Sequence, residues 1–396
     1  MSEEKNDELL VDNEHPEEIS KQKLLLYYGL TVGAVLLIVV IVFIIAVQVG
    51  GSPKEGKKSN SKLILKYYSE EDTKGKLFAP SLKDYVKSLK INNNEESFTN
   101  EYSFTKNKEY TVEVSLKEDL TSMENLFEKC VNLKEVDLSS LSTSKVEKMN
   151  KLFSGCSNLE SVNLKNVDTS KVETMELMFY GCGKLKNVDL SGFKTSNVNN
   201  MSGMFHRCSS LESLDLSNFD TSKVENMGMM FDSCESLKTL NLKGFDTSKV
   251  TDMSFMFTSS SALNSLDLTK FNTKEVKTMA NMFAGCSNLK SLNLESFDTS
   301  NVEDMAHMFY SCQSIKILNL NNFDTSKVKN MDFIFADCQT LERLDIIKFS
   351  TKQLTSTQNL FFGVAEKGEI HYNSEKIDAS LFKDTNIENW EKKNEL

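Results

Sequence analysis

The sequence contains very little proline, histidine and tryptophan. Three prolines, four histidines and one tryptophan occur in 396 residues, and no proline follows Pro80. Such a long stretch without proline suits a sheet in which every backbone amide must donate a hydrogen bond. The chain also lacks a basic domain, because 57 acidic side chains oppose 46 basic ones. This charge balance argues against nucleic acid as the main partner, since phosphate binding requires a face of lysine and arginine.

The common motifs of enzymes are absent as well. The sequence contains no glycine-rich phosphate loop and no recurring grouping of Ser, His and Asp or of Cys and His. A hydrolase within residues 63–122 would have neither histidine nor cysteine. We therefore predict no catalytic residue, no cofactor and no enzymatic activity.

The first 62 residues fall into three segments of different composition. Residues 1–23 are polar and acidic, which predicts a disordered tail. Residues 24–49 carry no charge, and 26 helical residues exceed the roughly 30 Å hydrocarbon core of a bilayer. They predict a single uncleaved transmembrane helix, because a cleaved signal peptide has a shorter apolar run of about 7–15 residues. Residues 50–62 predict a solvated linker.

The charges beside this apolar segment bear on its orientation. Three lysines precede it and five follow it within about 20 residues, which favours a cytoplasmic C-terminal part. The rule weakens beside long domains, and 347 residues follow Val49. Flanking charge therefore leaves the side of the membrane open.

The remainder of the chain repeats a unit of 26 residues. Phenylalanine, methionine and leucine recur in the same register as cysteine, whose spacing is interrupted once, where Ser260 takes its place. An internal period of this length predicts a solenoid, in which each repeat buries its apolar face against its neighbours. The cysteines of this column are Cys130, Cys156, Cys182, Cys208, Cys234, Cys286, Cys312 and Cys338.

One central repeat shows the local structure that the pattern predicts. Leu214 and Leu216 alternate with polar residues, which indicates a short half-buried strand. Residues 218–222 indicate a tight corner stabilised by an Asx-type hydrogen bond of Asp220. Four apolar residues within 227–234 then follow at i, i+3, i+4 and i+7, which predicts a two-turn helix with the preceding Asn226 as its N-cap.

The repeated string C-x-x-L-x-x-L-D/N-L-x-x-F-D-T-S-x-V-x-x-M-x-x-M-F resembles the BspA-like branch of leucine-rich-repeat surface proteins. The match is clearest at residues 211–231 and 289–309 and extends over about 130–363. The resemblance implies a leucine-rich-repeat-like solenoid at the cell surface, with roles in adhesion and in binding host or matrix proteins. It carries over no individual binding residue. Surface display would place the C-terminal part outside, against the lysine count.

We accordingly predict an α/β repeat solenoid of the leucine-rich-repeat type, with a parallel sheet and short helices, preceded by a single transmembrane helix. The predicted parts are an N-terminal capping region at 63–129, the solenoid at 130–363 and a C-terminal cap at 364–396. The C-terminal cap should contain a last strand at 369–373 and a closing helix at 378–392. Such caps hide the terminal apolar faces of a solenoid.

Three sets of reactive side chains have a structural interpretation and a chemical one. The cysteines lie on the apolar side of each predicted helix, which predicts buried free thiols, with disulfides between adjacent turns as the alternative. His206 and His307 are separated by about four turns, roughly 20 Å, too far to share a metal ion. A column of corner carboxylates predicts turn capping, with calcium binding as the alternative. These carboxylates belong to Asp168, Asp220, Asp246, Asp298 and Asp324. We predict no metal site.

Polar residues on the outer side of the predicted strands form the candidate partner-binding face. Extended solenoid faces commonly bind partners, and a merely solvated face is the alternative. The predicted function is therefore a membrane-anchored, surface-displayed, non-enzymatic module that binds a protein or glycan partner. A membrane-tethered intracellular scaffold with its repeats in the cytosol is the alternative. The candidate residues are Asp189, Asp215, Asn241, Asp267, Asn293, Ser213, Thr239 and Ser265.

Overall fold

The structure is a computed structural model that describes residues 61–382 and 385–395. The described residues belong to one compact unit, 58–396. The predicted tail at 1–23, the predicted transmembrane helix at 24–49 and nearly all of the predicted linker lie outside the described residues. Within the described part of the chain, no helix is long and apolar enough to cross a bilayer.

Antiparallel strands precede the repeats. They are β1 (Lys62–Ser69), β2 (Thr73–Lys76), β3 (Val86–Ile91), β4 (Asn94–Glu96), β5 (Glu101–Phe104) and β6 (Lys108–Leu116), with a 3₁₀ helix at Pro80–Tyr85. One antiparallel sheet has the strand order β4-β3-β6-β1, and β2 pairs with β5 in a separate two-stranded sheet. Alternate residues of β1, among them Leu63, Leu65 and Tyr67, are buried in the core.

The repeats continue this sheet with short parallel strands. The first of them, β7 (Leu133–Asp137), pairs antiparallel with β1 and parallel with β8 (Ser161–Asn163). The antiparallel sheet is therefore continuous with the first parallel strands of the repeats. Each later pairing keeps an offset of 26 residues, as in Ser213 beside Thr239. The strands are β7 (Leu133–Asp137), β8 (Ser161–Asn163), β9 (Ser213–Asp215), β10 (Thr239–Asn241), β11 (Ile317–Asn319), β12 (Arg343–Asp345) and β13 (Glu369–Tyr372).

A second parallel ladder runs along the part of each repeat where we predicted a helix. Single-residue bridges link successive repeats from Ser122 to Ser356. Beyond each bridge, alternate backbone amides donate to the next repeat, as from Phe205 to the Met230 carbonyl oxygen at 3.0 Å. The amides between them close tight turns, as from Met204 to the Met201 carbonyl oxygen at 3.2 Å. Each repeat is thus hydrogen-bonded to its neighbours on two sides.

The predicted α/β fold class is therefore wrong, because the repeats form a β-solenoid without α-helices in the described residues. Two short 3₁₀ helices, at Pro80–Tyr85 and Ala379–Phe382, are the helical elements of this part of the chain. In each repeat two residues four apart adopt positive φ, such as Met229 at 58° and Ser233 at 59°. A left-handed residue at every fourth position breaks the helical hydrogen-bond series while preserving the i, i+3, i+4, i+7 spacing of the buried residues.

Stacking distance explains why turns replace helices. An α-helix with its side chains is about 10–12 Å wide, whereas neighbouring strands lie about 4.8 Å apart. On the turn side, the phenylalanine rings of successive repeats, from Phe127 to Phe361, have centroids 5.4–6.0 Å apart. This spacing leaves no room for one helix per repeat. The predicted N-cap residue Asn226 instead caps a turn, accepting the Gly228 amide at 2.9 Å.

One continuous core runs through the repeats. It contains the columns of phenylalanine, methionine and cysteine from the turn side and the leucines of the strand side. A second phenylalanine column at the corners, including Phe271, Phe297 and Phe323, stacks at 6.3–6.5 Å. Because each repeat buries these groups only by contacting its neighbours, the stack is the unit that folds.

The C-terminal end closes the core without the predicted closing helix. The region of 378–392 contains the short 3₁₀ helix at Ala379–Phe382 and the start of a further strand, β14 (Glu391–Asn394). β14 pairs parallel with β13, so it extends the sheet by one strand. Trp390 is buried at this end, and its indole N–H donates to the Ala365 carbonyl oxygen at 2.8 Å.

Candidate functional site

The predicted partner-binding face lies on the outer side of the repeat strands. All eight candidate residues are exposed. β9 and β10 bring four of them together in two adjacent columns, Ser213 beside Thr239 and Asp215 beside Asn241. Asp189, Ser265, Asp267 and Asn293 occupy the equivalent positions in repeats where no strand is assigned. The leucine between the two columns, Leu214 in β9, points into the core.

Most side chains of the Asp and Asn column also accept a backbone amide of the turn that follows them. Asp215 Oδ1 accepts the backbone amide of Ser217 at 2.9 Å, and Asn241 Oδ1 accepts that of Lys243 at 3.2 Å. Hydrogen bonds from Ser217, first of all from its amide, hold the pKa of Asp215 below its usual value of 3.8. Hydrogen bonds from Thr269, first of all from its hydroxyl, likewise lower the pKa of Asp267. These side chains therefore present a fixed row of carboxylate and amide oxygens to solvent.

The Ser and Thr column accepts side chains of many kinds. Ser213, Thr239 and Ser265 are exposed, and the equivalent positions of other repeats carry Glu135, Asn187, Ile317 and Arg343. Side chains of any length and charge thus fit the sheet at this column. Toward the N-terminal cap the two columns line a groove of about 320 Å³, whose walls include Glu135, Asp137, Ser161 and Asn163.

The corner carboxylates are turn caps, as their Asx pattern predicted. Asp220 Oδ1 accepts the Ser222 amide at 3.1 Å, and Asp298 and Asp324 accept the amides of Ser300 and Ser326. Each carboxylate is satisfied within its own turn. In the described ranges 61–382 and 385–395, no group of three or more His, Cys, Asp or Glu side chains is placed to hold a metal ion.

A threonine column at the same corners connects the repeats, a role that we did not predict from the repeat pattern. The hydroxyl of Thr221 donates to the Asp246 carbonyl oxygen and accepts the Asp246 amide, both at 2.8 Å. The sequence does contain evidence for this role, because the threonine recurs in nine consecutive repeats. The members are Thr143, Thr169, Thr195, Thr221, Thr247, Thr273, Thr299, Thr325 and Thr351.

The cysteine column lies in the core as eight buried free thiols. Burial raises the pKa of Cys208 to about 12, and the thiol donates to the Phe179 carbonyl oxygen of the preceding repeat at 3.1 Å. Ser260, which interrupts the column, makes the equivalent bond to Phe231 at 2.8 Å. Protonated, inaccessible thiols are not nucleophiles, so this column is structural.

The two repeat histidines occupy different positions on the turn side. His206 lies half-buried, with its Nε2 atom 3.4 Å from Asp232 and its ring against Tyr180. Burial lowers its pKa, which the nearby carboxylate opposes. His307 instead stacks on Phe333 with ring centroids 4.9 Å apart. The two histidines share no site.

Comparison with known families identifies the repeats. The family described as "Mycoplasma protein of unknown function, DUF285" matches residues 91–214, 121–239, 200–317 and 279–394, together more than three quarters of the chain. This match spans the repeats whose motif resembles BspA-like leucine-rich-repeat proteins, and it confirms that resemblance. No curated protein matches the chain.

Two solved structures are similar to the chain at low identity. A leucine-rich repeat protein from Bacteroides ovatus ATCC 8483 is 17% identical, with a TM-score of 0.42, over 72% of this chain and 84% of that one. The TLR13–ssRNA13 complex is 16% identical, with a TM-score of 0.22, over 69% of this chain and 42% of that one.

Proposed function

This chain belongs to the DUF285 family of repeat proteins, and from that premise we propose that it is a membrane-anchored, surface-displayed module that binds a protein or glycan partner without catalysing a reaction. The observation that carries this proposal is the outer sheet face. Between residues 187 and 293 its two columns are polar and exposed, and the parallel pairing of β9 with β10 holds four of their side chains in register. Rigidly spaced groups lose little conformational freedom on binding.

Residues 24–49 would supply the membrane anchor. Their 26 uncharged positions suit a single span. The acidic segment before them and the lysine-rich segment after them would flank the bilayer. Display of the repeats outside the cell follows the BspA-like resemblance, and it requires translocation of the long C-terminal part.

Arginine substitutions in the Ser and Thr column test the binding face. We expect the triple variant Ser213→Arg, Thr239→Arg and Ser265→Arg of the full chain to lose at least tenfold in adhesion of expressing cells to host-cell or matrix surfaces. Its fold should persist, because Arg343 already occupies this column. Adhesion and thermal unfolding are measured on the same variant.

A matched control places three basic residues on another face. The corner column that contains Ser222, Ser248 and Ser300 carries lysine in two other repeats, Lys274 and Lys352. Ser→Lys substitutions at these three serines should leave adhesion unchanged. If the sheet-face variant adheres as well as the unsubstituted protein, or if both variants lose adhesion equally, the sheet face is not the binding site.

The flanking lysines favour a second candidate, an intracellular scaffold. Five lysines follow the apolar segment and three precede it, which is the pattern of a cytoplasmic C-terminal part. Protease added to intact cells distinguishes the two placements. Loss of the repeats supports display, whereas protection until the membrane is permeabilised supports the scaffold.

A further inference from the structure

The exposed side of the turn segments has an unusual backbone. We call this surface the turn face. It consists of the two positive-φ columns of the repeats and the residue directly before each of them. Bulky apolar or aromatic side chains occupy the first positive-φ column at Leu177 (53°), Met229 (58°), Phe255 (59°) and Phe333 (56°). Side chains of this size rarely adopt the left-handed region.

The fold does not require bulky side chains in this column. Asn125, Gly203, Asn281 and Asn359 occupy the same position in other repeats, and glycine and asparagine are the residues that tolerate positive φ. Strained positions that keep an unfavourable residue point to a function outside folding. Met229 is exposed and the other three side chains are half-buried, so a partner could contact them.

The central turn face is also nearly free of charge. From Ser254 to Ser311 its exposed and half-buried positions carry Ser, Thr, Gly, Asn, Phe, His and Tyr, and its three alanines are buried. Met229 is 38% exposed and Phe362 is 58% exposed, and Phe255 and Phe333 are half-buried. His307 stacks on Phe333 with ring planes 12° apart, so one face of each ring is covered.

The charges of the turn face complement those of a second copy that runs in the opposite direction. Consider a two-fold axis that lies in the turn face, perpendicular to the stack, between the turns of Phe255 and Asn281. Such an axis sets each column against the same column of a second copy in reversed order. Arg207 then faces Asp337, and Tyr180 faces Phe362. Both charged residues belong to the same positive-φ column.

The remaining contacts of this arrangement are compatible. Phe255 meets the smaller Asn281, and Met229 meets His307. Each other charged residue of the turn face between 176 and 362 meets an uncharged one: Glu176 meets Gln358, Asp232 meets Tyr310, and Asp332 meets Ser202. No like charges face each other.

We propose that the turn face is a self-association surface that joins two copies of this chain in antiparallel orientation. Eight turns at about 4.8 Å extend over about 38 Å. An interface of this length suits the lower end of the size range of stable interfaces, and we expect a weak, concentration-dependent dimer.

Charge reversal tests both the surface and the orientation. The full-length chain in a mild non-ionic detergent is studied by light scattering and sedimentation over a range of concentrations. We expect a dimer whose dissociation constant rises at least tenfold in Arg207→Asp and in Asp337→Arg, because each variant sets like charges opposite each other twice. The double variant should return to within about threefold of the unsubstituted chain. Lys223→Asp, on the corner, is the matched control and should change nothing.

Asparagine substitution separates association from folding. Phe255→Asn should weaken the dimer while its unfolding temperature stays the same or rises, because Asn281 occupies the same column in the next repeat. A chain that stays monomeric at the highest concentration overturns the proposal. So does a dimer that is insensitive to the single reversals, such as one held by residues 24–49, or a double variant that fails to recover.

Discussion

The threonine hydroxyls at the corners connect each repeat to the next at the scale of single residues. Thr221 is fully buried and uses its hydroxyl both as donor and as acceptor to the backbone of Asp246. The thiol of Cys234 similarly donates a hydrogen bond to the Phe205 carbonyl oxygen at 3.2 Å. Small polar groups thus satisfy backbone atoms that the parallel ladders leave without a strand partner.

The substitution Thr221→Val removes the hydroxyl while keeping the shape of the side chain. The amide and the carbonyl oxygen of Asp246 then both lose their partner at a part-buried position, so we expect a loss of about 1–3 kcal/mol in the free energy of unfolding. Chemical denaturation measures this loss. Thr239→Val, the same change at an exposed position, is the control and should change the free energy by less than about 0.5 kcal/mol. Equal effects of the two substitutions would contradict the bridging role.

At the scale of the element, the same spacing of apolar residues is compatible with two backbone conformations, an α-helix and a series of tight turns. Met227, Met230, Phe231 and Cys234 are all buried, as a helical face would require. Their backbone nevertheless alternates between turn hydrogen bonds and bonds to the next repeat. The neighbouring repeat determines which backbone forms. In the turns, alternate amides donate hydrogen bonds to the next repeat, whereas an α-helix would use the same amides for its own hydrogen bonds.

Replacing Gly203 by alanine distinguishes the two backbones. In a helix, alanine would stabilise the protein by roughly 0.5–1 kcal/mol. In the turn, φ is 58° and the added Cβ would lie 2.5 Å from Leu177 Cδ2, so we expect a loss of at least about 1–2 kcal/mol. Gly192→Ala, where the Cβ would meet nothing within 4 Å, should be neutral or slightly stabilising. Thermal and chemical unfolding of both variants measure the contrast.

At the scale of the whole molecule, stability is a sum of similar interfaces between repeats. The same caps and columns recur in turn after turn, so a small effect at one position is multiplied along the stack. The Asp caps are such a repeated group. Hydrogen bonds from residues two positions later, above all from their hydroxyls or amides, lower the pKa of Asp168, Asp189, Asp215, Asp220, Asp267 and Asp298 from 3.8.

Acid should therefore destabilise the solenoid. A carboxylate with a lowered pKa in the folded state contributes stability that is fully present above its usual pKa and is lost as the pH falls through the lowered value. We expect the unfolding temperature to be nearly constant above about pH 5 and to fall progressively below about pH 4. Thermal unfolding between pH 7 and 2 measures this.

Asparagine caps provide the control for the acid effect. Asn241 and Asn293 already cap their turns through Oδ1 without titrating. A variant with Asp189→Asn, Asp215→Asn and Asp267→Asn should keep its stability near pH 7 and lose less of it in acid. An unfolding temperature that rises between pH 4 and 2 would show that these hydrogen bonds do not control stability in acid.

The sequence by itself determined the repeat, its register and the side chains that face inward. Cys208, Phe231 and Leu214 recur every 26 residues in a pattern that only a stack can bury, and the alternation around Leu214 places Ser213 and Asp215 at the surface. The Asx pattern at Asp220 was equally local, because its side chain bonds its own turn. Such features follow from composition and spacing within a single repeat.

Only the tertiary structure decided the backbone of the turn segments. The residues at 227–234 have the spacing of a helix, but the neighbouring repeats lie too close for one. The bonds of Thr221 and the positive φ of Phe255 likewise depend on the repeat stacked beside them. The physical reason is shared: these amides and carbonyls find their partners in another repeat, 25 or more residues away, and no pattern within one repeat records that distance.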